Sequence, residues 1–201
     1  GYEDMRLMLE NNTPMYGNDI EEVDLLAGEM TDFAYKEISS HRSWRGPHFI
    51  SGLYPVSSHV PHGLVVGALP YGRKAGTALA DGCSPKGGTD RNGPTAVLKS
   101  VAKINHELHT SGTLLNMRLD PASVAGDLGL ARISSIIRTF VDLNIYHIQF
   151  NVIDSETLRK AQKNPERYRS LIVRVAGYSA YFTELCKEMQ DDIIQRTTHI
   201  A

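Results

Sequence analysis

Cysteine is scarce in this sequence of 201 residues, and long apolar runs are missing from it. Cys83 and Cys186 lie far apart and form no Cys-x-x-Cys pair. This spacing excludes a disulfide scaffold and a self-contained iron–sulfur or structural zinc site, so no metal site is expected. So few cysteines favour a reducing, cytoplasmic setting. The apolar stretches fall far short of the roughly 18 residues that a membrane span needs, and no charged-then-apolar leader suggests secretion.

Strong charge of either sign is also missing. The formal net charge is −2 and the pI is about 6.5, and no long basic run occurs. Neither a nucleic-acid-binding face nor a surface for anionic membranes is therefore expected. The hydrophobic share of 41% is ordinary for a globular protein with a real core, and the length suggests one domain or two small ones. The first residue is Gly1, which suggests that the chain begins inside a longer reading frame or has been processed.

Apolar periodicity predicts helices that alternate with a few strands. Helices are expected at 2–10, 19–38, 93–108, 130–143, 155–163, 165–170 and 182–196, strands at 112–119 and 145–153, and a further apolar segment at 171–175. Asn18 or Asp19 can cap the second helix. Residues 43–92 are predicted to form a long ordered loop with at most one strand. The alternation predicts an α/β fold with parallel pairing, and the strands that would complete its sheet are expected outside this chain.

Nine residues near the end of the sequence, 174–182, read Arg-Val-Ala-Gly-Tyr-Ser-Ala-Tyr-Phe. A single glycine between an apolar segment and a helix is ordinarily a turn or a helix cap. However, Arg-Val-x-Gly-Tyr resembles the radical loop of the glycyl radical enzymes, the pyruvate formate-lyase superfamily. The resemblance singles out Gly177 as the residue that carries the radical.

Other stretches resemble the same family in the same order along the chain. They are residues 1–4, 16–19, 72–76, 79–85, 92–97, 112–117, 147–152 and 190–197. The wording of 174–182, together with Asp-Ile-Ile-Gln-Arg-Thr at 192–197, looks closer to the glycerol dehydratase and choline trimethylamine-lyase branch than to pyruvate formate-lyase itself.

The resemblance implies that the chain is the C-terminal part of a ten-stranded α/β barrel, with the radical loop and a terminal helix. Residues 1–75 are then expected to end the pyruvate formate-lyase-type barrel domain, and residues 76–201 to form the glycine radical domain. The resemblance also implies a protein-derived radical on Gly177 without a bound cofactor, generated by a radical S-adenosylmethionine activating enzyme. The upstream part of the same enzyme is a further implied partner, and at full length the enzyme is expected to be a homodimer.

A glycine suits a stored radical for a physical reason. An unpaired electron on Cα is stabilised by conjugation with the amide nitrogen on one side and the carbonyl on the other, which requires a planar centre. A Cβ would clash with the neighbouring peptide planes, and glycine has none. Because such a radical couples readily with oxygen, the flanking apolar residues are expected to cover it. These are Leu171, Ile172, Val173, Val175, Tyr181 and Phe182. Arg174 and Tyr178 are expected to position the loop, with recognition of the activator as an alternative.

The resembled family performs its substrate chemistry with a cysteine thiyl on a second loop, which reads Gly-Cys-x-Glu in the dehydratase and lyase branch. No such motif occurs in this sequence. Cys83 and Cys186 lack activating neighbours and are interpreted as buried structural thiols. The catalytic cysteine is therefore expected upstream, and this chain alone is expected to have no lyase activity.

Two functional hypotheses remain open. In the first, the chain is part of a radical lyase or dehydratase that cleaves a C–O, C–N or C–C bond of a small organic substrate anaerobically. Arylacetate decarboxylases and fumarate-adding enzymes share much of this terminal sequence and are alternatives to that branch. In the second, the chain is a stand-alone spare-part carrier that replaces a damaged glycyl radical domain. Such a carrier needs only the radical loop and the terminal helix, so length distinguishes the two.

Other patterns have ordinary interpretations. Residues 67–74 resemble a phosphate-binding loop but carry arginine where its lysine is required. His59 and His62 flank Pro61, which is expected to break any helix that would align them on a metal, and no third ligand is apparent. His147 is interpreted as a hydrogen-bonded core histidine. The charges of the last helix are expected to form a solvated face. They are Glu184, Lys187, Glu188, Asp191, Asp192 and Arg196.

Overall fold

The structure is a computed structural model, and it describes residues 1–200. Its helices are α1 Tyr2–Asn12, α2 Glu21–Ser40, α3 His59–Val65, α4 Pro94–Val101, α5 Gly126–Asp142, α6 Ser155–Lys163 and α7 Lys187–Gln195. Its strands are β1 Leu115–Leu119, β2 Ile148–Val152, β3 Ile172–Arg174, β4 Ser179–Tyr181 and β5 Thr198–His199. Single 3-10 turns lie at His106–Leu108, Pro165–Tyr168 and Phe182–Glu184. Within the described residues, none of the helices has both the length and the apolar content for a membrane crossing.

A three-stranded parallel sheet in the order β2-β1-β5 organises the chain, which confirms the predicted parallel pairing. Leu115 lies opposite Ile148 and Leu119 opposite Val152 in an unbroken register. The central strand β1 is almost wholly buried, as expected for a parallel strand covered on both faces. Both predicted strands exist, but each is shorter than predicted: β1 lies within the predicted 112–119 and β2 within the predicted 145–153.

Two apolar cores lie under this framework. The first joins the sheet to α4 and α5 and includes Val97, Leu98, Val101, Leu115, Leu119 and Ile136. The second joins β3 to α6 and α7 and includes Leu158, Val173, Val175, Phe182, Met189 and Ile193. Fully burying one such side chain stabilises the fold by about 1.5–3 kcal/mol. Because Val175 and Phe182 belong to the second core, this core anchors residues 174–182.

Two helix predictions before residue 110 need correction. Helix α2 begins at Glu21, and neither Asn18 nor Asp19 caps it. Asn18 instead accepts a hydrogen bond from the backbone N–H of Arg91 at 2.7 Å, so a contact across the chain replaces the local cap. The helix expected over 93–108 ends at Val101. The chain then turns, which allows the buried His106 to bond the Thr113 hydroxyl at 2.8 Å.

The region 43–92 is mostly loop, as predicted, but it contains helix α3 rather than a strand. Pro61 lies inside that helix, so the expectation that it breaks the helix is wrong. It is the third helical residue, and there a missing N–H costs nothing because the first turn has no intrahelical acceptor for it. His59 at the start of α3 is buried.

The last thirty residues depart furthest from prediction. Strands β3 and β4 form an antiparallel hairpin, whereas a loop leading directly into a helix was expected. Helix α7 begins at Lys187, because residues 179–186 are used by β4, a 3-10 turn and the helix N-cap. Cys186 is that N-cap and is exposed, so its interpretation as a buried thiol is wrong. Cys83 is buried as predicted, and burial raises the pKa of its thiol to about 12.

Candidate functional site

Gly177 lies at the tip of the β3–β4 hairpin. The backbone N–H of Val175 donates to the Tyr178 carbonyl at 2.9 Å and closes the turn around it. Gly177 has φ +85°, a conformation that side chains with a Cβ rarely adopt. An added Cβ would lie 3.4 Å from Leu114 Cδ1, so the backbone angle excludes other residues more than space does. Gly177 is exposed, whereas Val175 is fully buried.

Gln149 on strand β2 binds the tip of the hairpin at Gly177. Its Oε1 accepts the Gly177 N–H at 3.3 Å and the Arg174 Nη2 at 2.9 Å. Its Nε2 donates to the Asn116 side-chain oxygen on the neighbouring strand. Only 6% of Gln149 is exposed, so water does not compete for these bonds.

Asn151, two residues further along β2, lies on the same face of the strand as Gln149. It forms a reciprocal pair with the Arg174 backbone, accepting the N–H at 2.8 Å and donating to the carbonyl at 2.7 Å. Asn116 Nδ2 donates to the Val175 carbonyl at 3.1 Å. Three amide side chains of the parallel sheet therefore grip the backbone of the hairpin directly.

Arg196, at the end of α7, grips the hairpin from the other side. Its Nη1 donates to the Val175 carbonyl at 2.8 Å, and its Nη2 contacts the carboxylates of Asp81 and Asp192, each at 3.0 Å. His59 Nε2 donates to Asp192 at 3.1 Å. We call Asn116, Gln149, Asn151 and Arg196 the hairpin clamp.

The partners of Arg196 correct the predicted solvated face, because Asp192 and Arg196 are largely buried in this network. Burial raises the pKa of Asp81 above its ordinary value, although the charge of Arg196 opposes that shift. Burial also works to raise the pKa of Asp192, but the hydrogen bond from His59 and the charge of Arg196 outweigh it and hold that pKa below its ordinary value. The one cation of the clamp, Arg196, is therefore paired with two carboxylates in a largely buried setting.

A shallow depression of about 360 Å³ opens beside Gly177, lined partly by Tyr54, Val56, Leu114 and Tyr178. Four of the six residues predicted to cover the glycine pack inward. Val173, Val175 and Phe182 are buried in the second core, and Leu171 packs against that core. Ile172 and Tyr181 instead are 58% and 44% exposed, because they are cross-strand partners on the outer face. Their side chains therefore leave Gly177 open.

The remaining sequence patterns have structural roles. The guanidinium of Arg73, in the segment that resembles a phosphate loop, is 1% exposed and donates to the Gly67 carbonyl at 2.7 Å and the Gly63 carbonyl at 3.0 Å. His147 is only half-buried and lies just before β2, so its interpretation as a core histidine is wrong. Across residues 1–200, no cluster of three or more His, Cys, Asp or Glu could hold a metal ion.

Family comparisons agree with this geometry. The family model described as "Glycine radical" matches residues 79–183, just over half of the chain, and this match contains the hairpin and most of its clamp. The chain belongs to the glycyl radical enzymes. A second model, described as "Pyruvate formate lyase-like", matches residues 1–63.

Individual relatives point the same way. The chain is 45% identical to an isethionate sulfite-lyase of Bilophila wadsworthia, over 99% of this chain and 24% of that protein. It is 42% identical to a trans-4-hydroxy-L-proline dehydratase of Clostridioides difficile, over 98% and 25%. The glycerol-bound B12-independent glycerol dehydratase of Clostridium butyricum matches with a TM-score of 0.94 and 49% identity, over 99% and 25%. The chain therefore spans about a quarter of these relatives, and its α/β fold is that of the C-terminal part of a glycyl radical enzyme barrel.

The clamp residues were missed as functional residues by sequence reasoning. A signal for two of them existed, because Gln149 and Asn151 are polar side chains spaced by two within an otherwise apolar strand. Buried polar groups in a strand need partners, and here the partner is the backbone of the hairpin. No comparable signal marks Arg196, whose helical setting suggests an ordinary solvated charge.

Proposed function

We propose that Gly177 stores the radical of the complete enzyme to which this chain belongs, a glycyl radical lyase or dehydratase. The observation that carries the proposal is the placement of Gly177: an exposed glycine with positive φ at the tip of a clamped hairpin, inside the region that the glycine radical model matches. A glycine can flatten at Cα without moving a side chain, and a clamped backbone keeps the flanking peptides in place while it does so.

The radical is generated by a partner enzyme that uses S-adenosylmethionine and an iron–sulfur cluster. The Cα–H bond of Gly177 breaks homolytically, the hydrogen atom passes to the radical derived from S-adenosylmethionine, and the unpaired electron stays on Cα. The match of the chain to the glycine radical family supports such a partner. The partner enzyme therefore generates the radical, and this chain stores it on Gly177.

The substrate is attacked by a cysteine thiyl from outside this chain. Cys83 is unsuited to that role because its thiol is buried, has a raised pKa and donates to the Leu114 carbonyl at 3.1 Å. Cys186 lies at the N-cap of α7 and does not line the depression beside Gly177. Both observations support a catalytic cysteine upstream in the complete enzyme.

The reaction class is elimination from a small organic substrate, with cleavage of a C–O, C–N or C–C bond. The dehydratases among the relatives support C–O cleavage. The sulfite-lyase supports elimination in general, because release of sulfite breaks a C–S bond instead. The match of residues 1–63 to the pyruvate formate lyase-like model supports a piece of a large enzyme over a spare-part carrier. The family resemblance also supports a homodimeric, cytoplasmic complete enzyme.

Electron paramagnetic resonance on the complete, anaerobically activated enzyme tests the proposal. We expect the Gly177→Ala variant to lose the organic radical signal. Gly46→Ala is the matched control, since Gly46 also has a positive φ of 101° and an added Cβ would meet nothing within 4 Å. Gly46→Ala is expected to keep the signal. An undiminished signal in Gly177→Ala would place the radical on another residue.

A further inference from the structure

We propose that Gln149 is a positioning residue that tunes the radical through the amide of Gly177. The inference rests on the proposed storage of the radical at Gly177. The observation behind it is that the Gly177 N–H, which is part of the conjugated system of the radical, ends on a buried side-chain oxygen. No other side chain among the described residues is recorded as accepting this N–H.

The orientation of the Gln149 amide is fixed by three partners. Its oxygen accepts from Gly177 and from Arg174, which uses both lone pairs. Its nitrogen donates to Asn116 on β1. Rotating the amide by half a turn would set its NH₂ against two donors and leave its oxygen facing the Asn116 oxygen. The Oε1 atom of Gln149 is therefore already oriented toward the Gly177 N–H before the radical forms.

The hydrogen bond from the Gly177 N–H to Gln149 has an electronic consequence. A glycyl radical is stabilised when the amide nitrogen donates electron density toward the half-empty orbital on Cα. A hydrogen bond from the N–H to an acceptor raises the electron density on nitrogen, and it also holds the peptide plane in the geometry that overlap requires. The bond to Gln149 is thus expected to stabilise the radical more than the parent glycine, which has no conjugation to gain.

Asn151 supplies a matched control on the same strand and face. It holds the Arg174 backbone in the stem of the hairpin and makes no recorded contact with Gly177. A substitution at Asn151 loosens the hairpin without altering the acceptor of the Gly177 amide. A loss of radical yield shared by the two positions is therefore structural, and a change of the amide couplings confined to Gln149 reports the lost acceptor of the Gly177 N–H.

The test measures the hyperfine couplings of the ¹⁵N-labelled glycyl amide in the complete enzyme after activation. We expect Gln149→Leu to change the nitrogen and N–H proton couplings and to lower the radical yield about fivefold, the effect of losing one ordinary hydrogen bond. Asn151→Ala is expected to keep the wild-type couplings. Gln149→Glu retains an acceptor and is expected to form the radical, with couplings shifted by its negative charge.

Three results would decide the matter. Wild-type couplings in a radical-bearing Gln149→Leu enzyme overturn the inference. If Gln149→Leu forms no radical, recovery of the signal in Gln149→Glu supports the inference and its continued loss overturns it. A wild-type enzyme that forms no radical on Gly177 at all contradicts the proposed function instead, so the two failures remain distinguishable.

Discussion

The parallel sheet and the Gly177 hairpin lie side by side and are held by different means. In the sheet, Leu115 and Leu119 have no exposure to solvent and share the first core with Val101 of helix α4. The hairpin also places Val173 and Val175 in the second core, but in addition buried polar side chains bond to its backbone at 174, 175 and 177. Apolar burial is non-directional and hard to undo locally, whereas a set of hydrogen bonds to one loop can be released without opening the core. Under the proposed function the loop meets an activating enzyme, and the second kind of attachment allows that movement.

The largest effect is expected from breaking the sheet. Leu119→Ala removes a fully buried side chain from the C-terminal end of β1 and is expected to lower the free energy of unfolding by about 4 kcal/mol. Chemical denaturation of the complete enzyme, followed by amide exchange of β1 and the hairpin, measures it. Both regions should lose protection together. Lys160→Gln is the control, since the Lys160–Glu156 pair is exposed on α6, and it should leave stability nearly unchanged.

A smaller, local effect is expected from breaking the clamp. Arg196→Met removes the bond to the Val175 carbonyl and leaves the Asp81 carboxyl buried without its cation, at a cost of about 3 kcal/mol. Amide exchange should rise in residues 172–182 while β1 stays protected. Lys187→Met is the control, since the Lys187–Asp191 pair on the same helix is largely exposed. Equal loss of protection in β1 would show that the two regions are not separable.

The smallest effect is expected from pH, through Asp192. The pKa of its carboxyl is lowered in the folded state by His59 and Arg196, against the opposing effect of burial. Its contribution to stability is therefore full above the ordinary carboxyl pKa of 3.8 and is lost as pH falls through the lower folded value. Asp192→Asn should flatten the thermal unfolding profile below about pH 4. An unchanged acid limb in this variant would contradict the assignment.

Much of the fold could be predicted from local patterns. Helix α6 runs over the predicted residues, because Asp154 caps it, with Oδ1 accepting the Thr157 N–H at 2.7 Å. Parallel pairing followed from the alternation of helices and strands. These features depend on residues that are neighbours in the sequence or on burial that any apolar side chain can supply.

The rest depended on contacts between distant residues. Strand β5 has two residues and exists because β1 offers it a free edge. Asn18 was expected to cap a helix, but its side chain serves residues 89–92 instead. Arg196 was assigned to solvent, and its partners Asp81 and Val175 lie 115 and 21 positions away. Contacts over such separations leave no periodic trace at Arg196, whereas Gln149 and Asn151 leave the spacing of two within β2. The sequence therefore singles out Gly177 as a candidate, and it marks only these two members of the clamp.

The short strand β5 affects what happens to the enzyme after the proposed radical is damaged by oxygen. A glycyl radical that meets oxygen forms a peroxyl, which decays by cutting the backbone at the same residue. A cut at Gly177 separates residues 177–201 covalently, but this segment still carries α7 and the β5 edge of the sheet. The buried guanidinium of Arg118 also continues to donate to the Ile193 carbonyl at 2.8 Å. The severed peptide is therefore expected to stay seated, so an inactivated enzyme keeps its native size in solution and reveals the nick only in denaturant.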